Sequence, residues 1–112
     1  MPTEIRRIIL SMGELQEALK QFVDSRPTMF GDACMTEGRL VKDDPVEVEV
    51  SVQVHPQSTN PSTYTLGGPH LAAALIAYCQ HLGIPLSRSA SKAVRRVKTG
   101  VALDMTIETK RG

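Results

Sequence analysis

The sequence has no tryptophan and only four aromatic residues, Phe22, Phe30, Tyr64 and Tyr78. Single-stranded nucleic acid is usually gripped by bases stacking on exposed rings, and so few aromatics leave little for that once a core is built. Cysteine is scarce as well. Cys34 and Cys79 cannot form a disulfide framework, and reduced thiols in a cytoplasmic protein are the expectation. No apolar run approaches the roughly 20 residues that cross a bilayer. Met1 to Leu10 lacks the long apolar region and small-residue cleavage site of a secretory leader. Residues 67–87 hold no Asp, Glu, Lys or Arg. No internal repeat or low-complexity tract is present.

What is there has the proportions of an ordinary globular domain: 112 residues, 41% hydrophobic and 22% charged. A chain of this length forms one domain, 1–112, with residues 109–112 expected to be disordered. The net charge of +1 conceals an asymmetry. Residues 1–66 carry six Lys/Arg against ten Asp/Glu, whereas 88–112 carry seven basic residues against Asp104 and Glu108. Charge divided in this way fits a polar interaction surface or head-to-tail association, and equally a solvated face with a basic tail.

The strongest pattern is Pro45 to His55, in which Val46, Val48, Val50, Val52 and Val54 occupy every second position. Period two places the valines on one face of a strand and leaves the other face polar, as in an antiparallel sheet covered on one side. Ile5 to Leu10 reads as a first strand. Ser11-Met12-Gly13-Glu14 has the S-x-x-E form of a capping box, flanked by Leu10 and Leu15 at the spacing of a hydrophobic staple. Leu15, Ala18, Leu19, Phe22 and Val23 then form one helical stripe, ended by Arg26-Pro27. Thr28 to Ala33 reads as a loop. Met35 to Val41 reads as a strand weakened by Gly38, joined to the valine strand through Lys42-Asp43-Asp44-Pro45. After a polar loop over 56–62, Thr63 to Leu66 is a third short strand.

Gly67-Gly68-Pro69 opens a second helix through Leu82, with Gly83 at the left-handed position past its end and Pro85 beyond. Ser87 to Lys98 fits two conformations. One is a helix with Arg88, Lys92, Arg95 and Arg96 opposite an apolar side. The other, preferred, is a helical turn at 87–91 followed by a hairpin through Lys98-Thr99-Gly100, with Gly100 left-handed. Val101, Leu103, Met105 and Ile107 alternate along the last strand. The expected fold is an α+β two-layer sandwich, two helices on one face of a mostly antiparallel sheet of about five strands.

Candidate chemistry is sparse. His70 and His81 sit about three turns apart on one helix, roughly 16 Å, too far to share a metal. The short ligand pairs of a zinc site are missing, so no metal and no cofactor is expected. Cys79 falls on a buried helix face, where an apolar setting makes a thiol inert, and Cys34 has no histidine near it in sequence. Ser89-Ala90-Ser91-Lys92 matches S-x-x-K, but its companion motifs belong to a much larger enzyme and Lys98-Thr99-Gly100 follows too closely. Gly67-Gly68 lacks the lysine and the longer glycine pattern of a phosphate loop. Glu47 and Glu49 share one strand face about 7 Å apart, as a solvated sheet face also would. The order helix, three strands, helix over 14–82 is shared with double-stranded RNA-binding domains. Their second helix opens on lysines, whereas Pro69-His70-Leu71-Ala72-Ala73 has none.

Three functional expectations follow. The first is a small non-catalytic cytoplasmic domain acting through protein contacts, as a homodimer or with another protein. The second is weak nucleic-acid binding through a polyanion-contacting cluster, Arg88, Lys92, Arg95, Arg96 and Lys98. The third is an enzyme, which requires a pocket collecting Glu47, Glu49, His55 or His70.

Overall fold

Strand alternation and helix caps can be followed directly into three dimensions in the computed structural model, which describes residues 2–54 and 62–108. In chain order the elements are β1 (Thr3–Ser11), α1 (Met12–Asp24), α2 (Pro27–Phe30), β2 (Cys34–Asp43), β3 (Val46–Gln53), β4 (Ser62–Gly67), α3 (Gly68–His81), β5 (Ser91–Val97) and β6 (Gly100–Glu108). Met1, residues 55–61 and residues 109–112 lie outside the described residues, and with them His55, most of the expected polar loop and the expected disordered end. Among the described residues no helix is long and apolar enough to cross a membrane.

The α+β class is as expected, but the single sheet of about five strands is replaced by two antiparallel sheets of three. The first has the order β1-β6-β5 and the second β2-β3-β4. Their inner faces share a layer of helices in which α1 and α3 lie against each other. Alternation alone says which face of a strand is buried and not which strands pair, so the division into two sheets left no mark in the sequence.

β3 follows its valine pattern. Val46, Val48, Val50 and Val52 are each at most 3% exposed, with Leu66 of β4 beside them across the ladder. Val54 lies past the strand end and is exposed. β6 does the same for the first sheet, burying Val101, Leu103 and Met105. The capping box forms as expected. The Glu14 amide donates to Ser11 Oγ at 3.2 Å, and the Ser11 amide donates to Glu14 Oε1 at 3.0 Å. The end of α3 is a complete Schellman motif, with Gly83 at φ +77°, Gly83 N–H donating to Gln80 and Ile84 N–H donating to Cys79.

Four local expectations need correction. Thr28 to Ala33 is not all loop, because Pro27 starts the short α2 and seats Phe30 between Phe22 and Tyr64 in edge-on contacts at 6.1 and 4.9 Å. Residues 87–91 form a turn at Arg88 and Ser89 with no helix, and the hairpin conformation of 91–108 holds over the helical one. Its loop is two residues, Lys98 and Thr99, since Gly100 pairs with both Val97 and Ser11. Gly100 is also not left-handed. It is glycine for closeness: a Cβ there would lie 2.0 Å from the Leu10 carbonyl oxygen.

Gly38 of β2 receives α1. A Cβ on it would lie 2.8 Å from Leu19 Cδ1. The Gln16 amide clasps the same residue, its Oε1 accepting from Gly38 N–H at 3.2 Å and its Nε2 donating to the Gly38 carbonyl. The two glycines therefore differ in what obstructs a methyl group, immovable backbone at Gly100 and the tip of a leucine at Gly38. Gly100→Ala is expected to lower stability by about 3 kcal/mol and Gly38→Ala by about 1 kcal/mol in urea unfolding, with unchanged slope. The reverse order would show that the Leu10–Gly100 approach is not what holds β1 to β6.

Candidate interaction surface

β1 is an edge strand whose nine residues pair with β6 without interruption, from Thr3 opposite Glu108 to Ser11 opposite Gly100. Among the described residues no strand pairs with its other side. Leu10 faces the helices and is buried, and Ile8 packs against the same core. On the outer face Ile5 is 70% exposed and Ile9 56%, although isoleucine in a strand is normally half covered. Between them Arg7 lies opposite Asp104.

That pair anchors the outer face of the first sheet. Arg7 Nε donates to Asp104 Oδ1 at 2.7 Å and Nη2 to Oδ2 at 2.9 Å, a two-pronged grip. Arg95 approaches from the other side, its Nε 3.4 Å from Oδ2. The hydrogen bonds from Arg7 are the main reason the Asp104 carboxyl sits below its ordinary range, with the charge of Arg95 adding to them. Ile5, Arg7, Ala93, Arg95, Asp104 and Thr106 line a shallow depression of about 310 Å³ over this face.

The other three sheet edges differ from β1. β2 carries two register shifts, between Met35 and Glu37 and between Leu40 and Lys42, and Gln16 occupies both backbone groups of Gly38. Bulges and occupied backbone groups obstruct the addition of another strand. β4 is six residues long and runs straight into α3. β5 presents Lys92, Arg95 and Arg96, all of one sign, within seven residues.

The five cations of the expected polyanion site are divided between surfaces. Arg95 points outward to Asp104. Arg96 is on the opposite face, 3.6 Å from Asp43 at the end of β2, and also donates to the carbonyls of Val97 and Gly100. Lys92 Nζ turns back onto the carbonyls of Ser87 and Ala90 at 2.9 and 3.1 Å. Arg88 stands in the turn before β5 and Lys98 in the hairpin loop, both exposed. The same geometry separates Lys92 from the S-x-x-K reading, because its amine meets carbonyls, while Ser89 Oγ faces Ser87 Oγ at 3.1 Å.

The remaining candidates are scattered. Cys79 is buried, and burial pushes its thiol upward, as expected of an inert core cysteine. Cys34 is exposed at the start of β2. His70 rests its ring 6.5 Å from Phe22, and His81 closes α3 at the surface. Glu47 and Glu49 lie on the outer face of the second sheet, where Glu49 meets Arg39 at 3.1 Å. A cleft of about 400 Å³ between Pro45, Gly68, Pro69, Ala72, Lys92 and Val94 contains neither glutamate nor His70. Among the described residues no three His, Cys, Asp or Glu side chains converge as metal ligands would. No protein-family model, curated protein or solved structure matches the chain.

Sequence reading missed β1 as the surface of interest. Its signal was available: Ile5, Arg7 and Ile9 alternate with Glu4, Arg6 and Ile8, so one of the two isoleucine rows had to face away from the helices.

Asp104 links this face to pH. A carboxyl held below its ordinary value stabilises the fold at every pH above about 4, and that contribution is lost as pH falls through the lowered folded value. Asp104→Asn is expected to cost at most about 1 kcal/mol at pH 7, because the arginine ends are open to solvent and screened. The variant should also lose less stability than the parent between about pH 4 and pH 2. Parallel acid slopes for both proteins in chemical unfolding would show that Asp104 contributes nothing to acid sensitivity.

Proposed function

We propose that this is a small, non-catalytic cytoplasmic domain that works through protein contacts made along the free edge of β1. The observation that carries the reading is the contrast among the four sheet edges. Three are bulged, short or of one charge, and the fourth is long, regular and flanked by exposed isoleucines. An unpaired strand edge is a row of backbone donors and acceptors that an extended partner segment satisfies, with side chains on either side giving selectivity.

Nucleic-acid binding through residues 88–98 is the weaker reading. Three of its five cations already meet carboxylates or carbonyls of the fold, and the five do not share a face. An enzymatic reading has no cluster of acid–base groups behind it, with Glu47 and Glu49 on a solvated sheet face and His70 on another element.

The test is site-specific photo-crosslinking in cells, with a benzophenone side chain at Ile5 on β1 and a control at Ala77 on the exposed side of α3. The expected result is an adduct of one defined mass from position 5, its partner peptide identified by mass spectrometry, and none from position 77. No adduct from position 5, or the same adducts from both positions, removes β1 as the contact surface.

A further inference from the structure

We infer that the occupant of the β1 edge is a second copy of this chain, paired antiparallel about a two-fold axis at Ile5, so that two three-stranded sheets become one of six. This rests on the strand-edge reading above and adds the partner and the register.

A two-fold axis perpendicular to a sheet keeps each side chain on its own face, so a residue can pair only with one of the same parity in the second copy. Five centres along Thr3–Ser11 pair at least five residues: Ile5, Arg6, Arg7, Ile8 and Ile9. Centring on Arg6 or Arg7 sets an arginine against its own copy, and like charges directly opposite are unfavourable. Centring on Ile8 puts Arg7 against Ile9 and Arg6 against Leu10, which faces arginines with apolar side chains. Centring on Ile9 pairs Arg7 with Ser11 and leaves Glu4 and Arg6 outside the ladder. Centring on Ile5 alone places opposite charges across the axis, Glu4 against Arg6 of the second copy, twice by symmetry. It also sets Ile5, the most exposed large apolar side chain of the described residues, against itself, and Arg7 beside Thr3.

The charges of β1 are thus of mixed sign and arranged to accept the same strand reversed. Arg6 lies on the helix-side face, where its Nη1 donates to the Pro85 carbonyl at 2.7 Å, and Glu4 is the neighbour two residues along on that face. Exposed ion pairs contribute little affinity, so the association is expected to be weak and dependent on concentration, its backbone bonds giving the strength and its charges the register. Arg7 does not oppose the pairing, since its own Asp104 holds it.

The experiment is sedimentation velocity of the full chain from about 1 µM to about 1 mM, where a weak dimer is resolved from monomer. Glu4→Arg and Arg6→Glu are each expected to weaken dimerisation roughly tenfold, because each turns two attractive pairs into two repulsive ones. The reversals are complementary. An equal mixture of the two variants, and the double variant Glu4→Arg/Arg6→Glu, should both return to parental affinity. Arg6→Glu also removes the Pro85 bond, so Glu4→Arg, which leaves that bond in place, carries the test if Arg6→Glu fails to fold. A monomer at every concentration, a dimer indifferent to Glu4→Arg, or a double variant that does not recover would each overturn the inference. A monomer whose position-5 adduct is a different protein overturns self-pairing and leaves the strand-edge reading standing.

Discussion

Helix α1 grows straight out of β1 in one sheet and closes on Gly38 of the other, and the shared core is built around that double attachment. At its N-terminus Ser11 is at once the last residue of β1 and the helix cap, held where the Leu10 carbonyl presses on Gly100 of the first sheet. One turn later Gln16 and Leu19 close on Gly38 of the second sheet. A sheet with one apolar face must bury that face against another element. Here neither sheet covers itself, and the same helical layer covers both. The valines of β3 and the apolar row of β6 are therefore buried by a common device, and loosening α1 would uncover both.

Features set by neighbours in the chain were legible in the sequence. The Ser11–Glu14 box, the Gly83 termination and the alternation of β3 and β6 each depend on spacings of two to four residues, and each forms as read. Features set by distant partners were not. Nothing local shows that β1 pairs with β6, nearly the whole chain away, or that β3 stays in a different sheet. Gly100 illustrates the difference. A glycine after Lys-Thr reads as a left-handed loop residue, yet its reason for being glycine is a carbonyl contributed by Leu10. Pro27 was misread more simply, as the end of one helix when it also begins another.

The same distinction governs charge. In sequence the acidic first part and basic last part read as a polar interaction surface, a head-to-tail contact or a solvated face with a basic tail. In the fold Asp43, from the acidic part, lies beside Arg96, from the basic part, and Asp104 sits between Arg7 and Arg95. One contact between the two parts, Asp43 with Arg96, thus sets an excess acid against an excess base. The basic segment 88–98 loses its unity for the same reason: β5 is a strand, so Arg95 and Arg96, adjacent in the chain, point to opposite faces.

On the proposed reading, what remains open to a partner is a strand edge rather than a charged patch, and the physics of edges explains the form it takes. A regular nine-residue edge with exposed isoleucines would invite indiscriminate pairing if its polar residues were neutral. Glu4, Arg6 and Arg7 restrict which strands it accepts, because most extended segments would bring a like charge or an apolar group against them. Surface charges are too weak to make an interface by themselves, but they need only separate one register from its neighbours. The registers differ in backbone hydrogen bonds, since centring on Ile5 pairs five residues of β1 and centring on Arg7 pairs all nine. The charges therefore act by penalising the longer ladders, in which an arginine meets its own copy or an apolar side chain. On the proposed reading the selectivity of β1 resides in its charged side chains, and the capacity to bind at all resides in the uninterrupted ladder behind them.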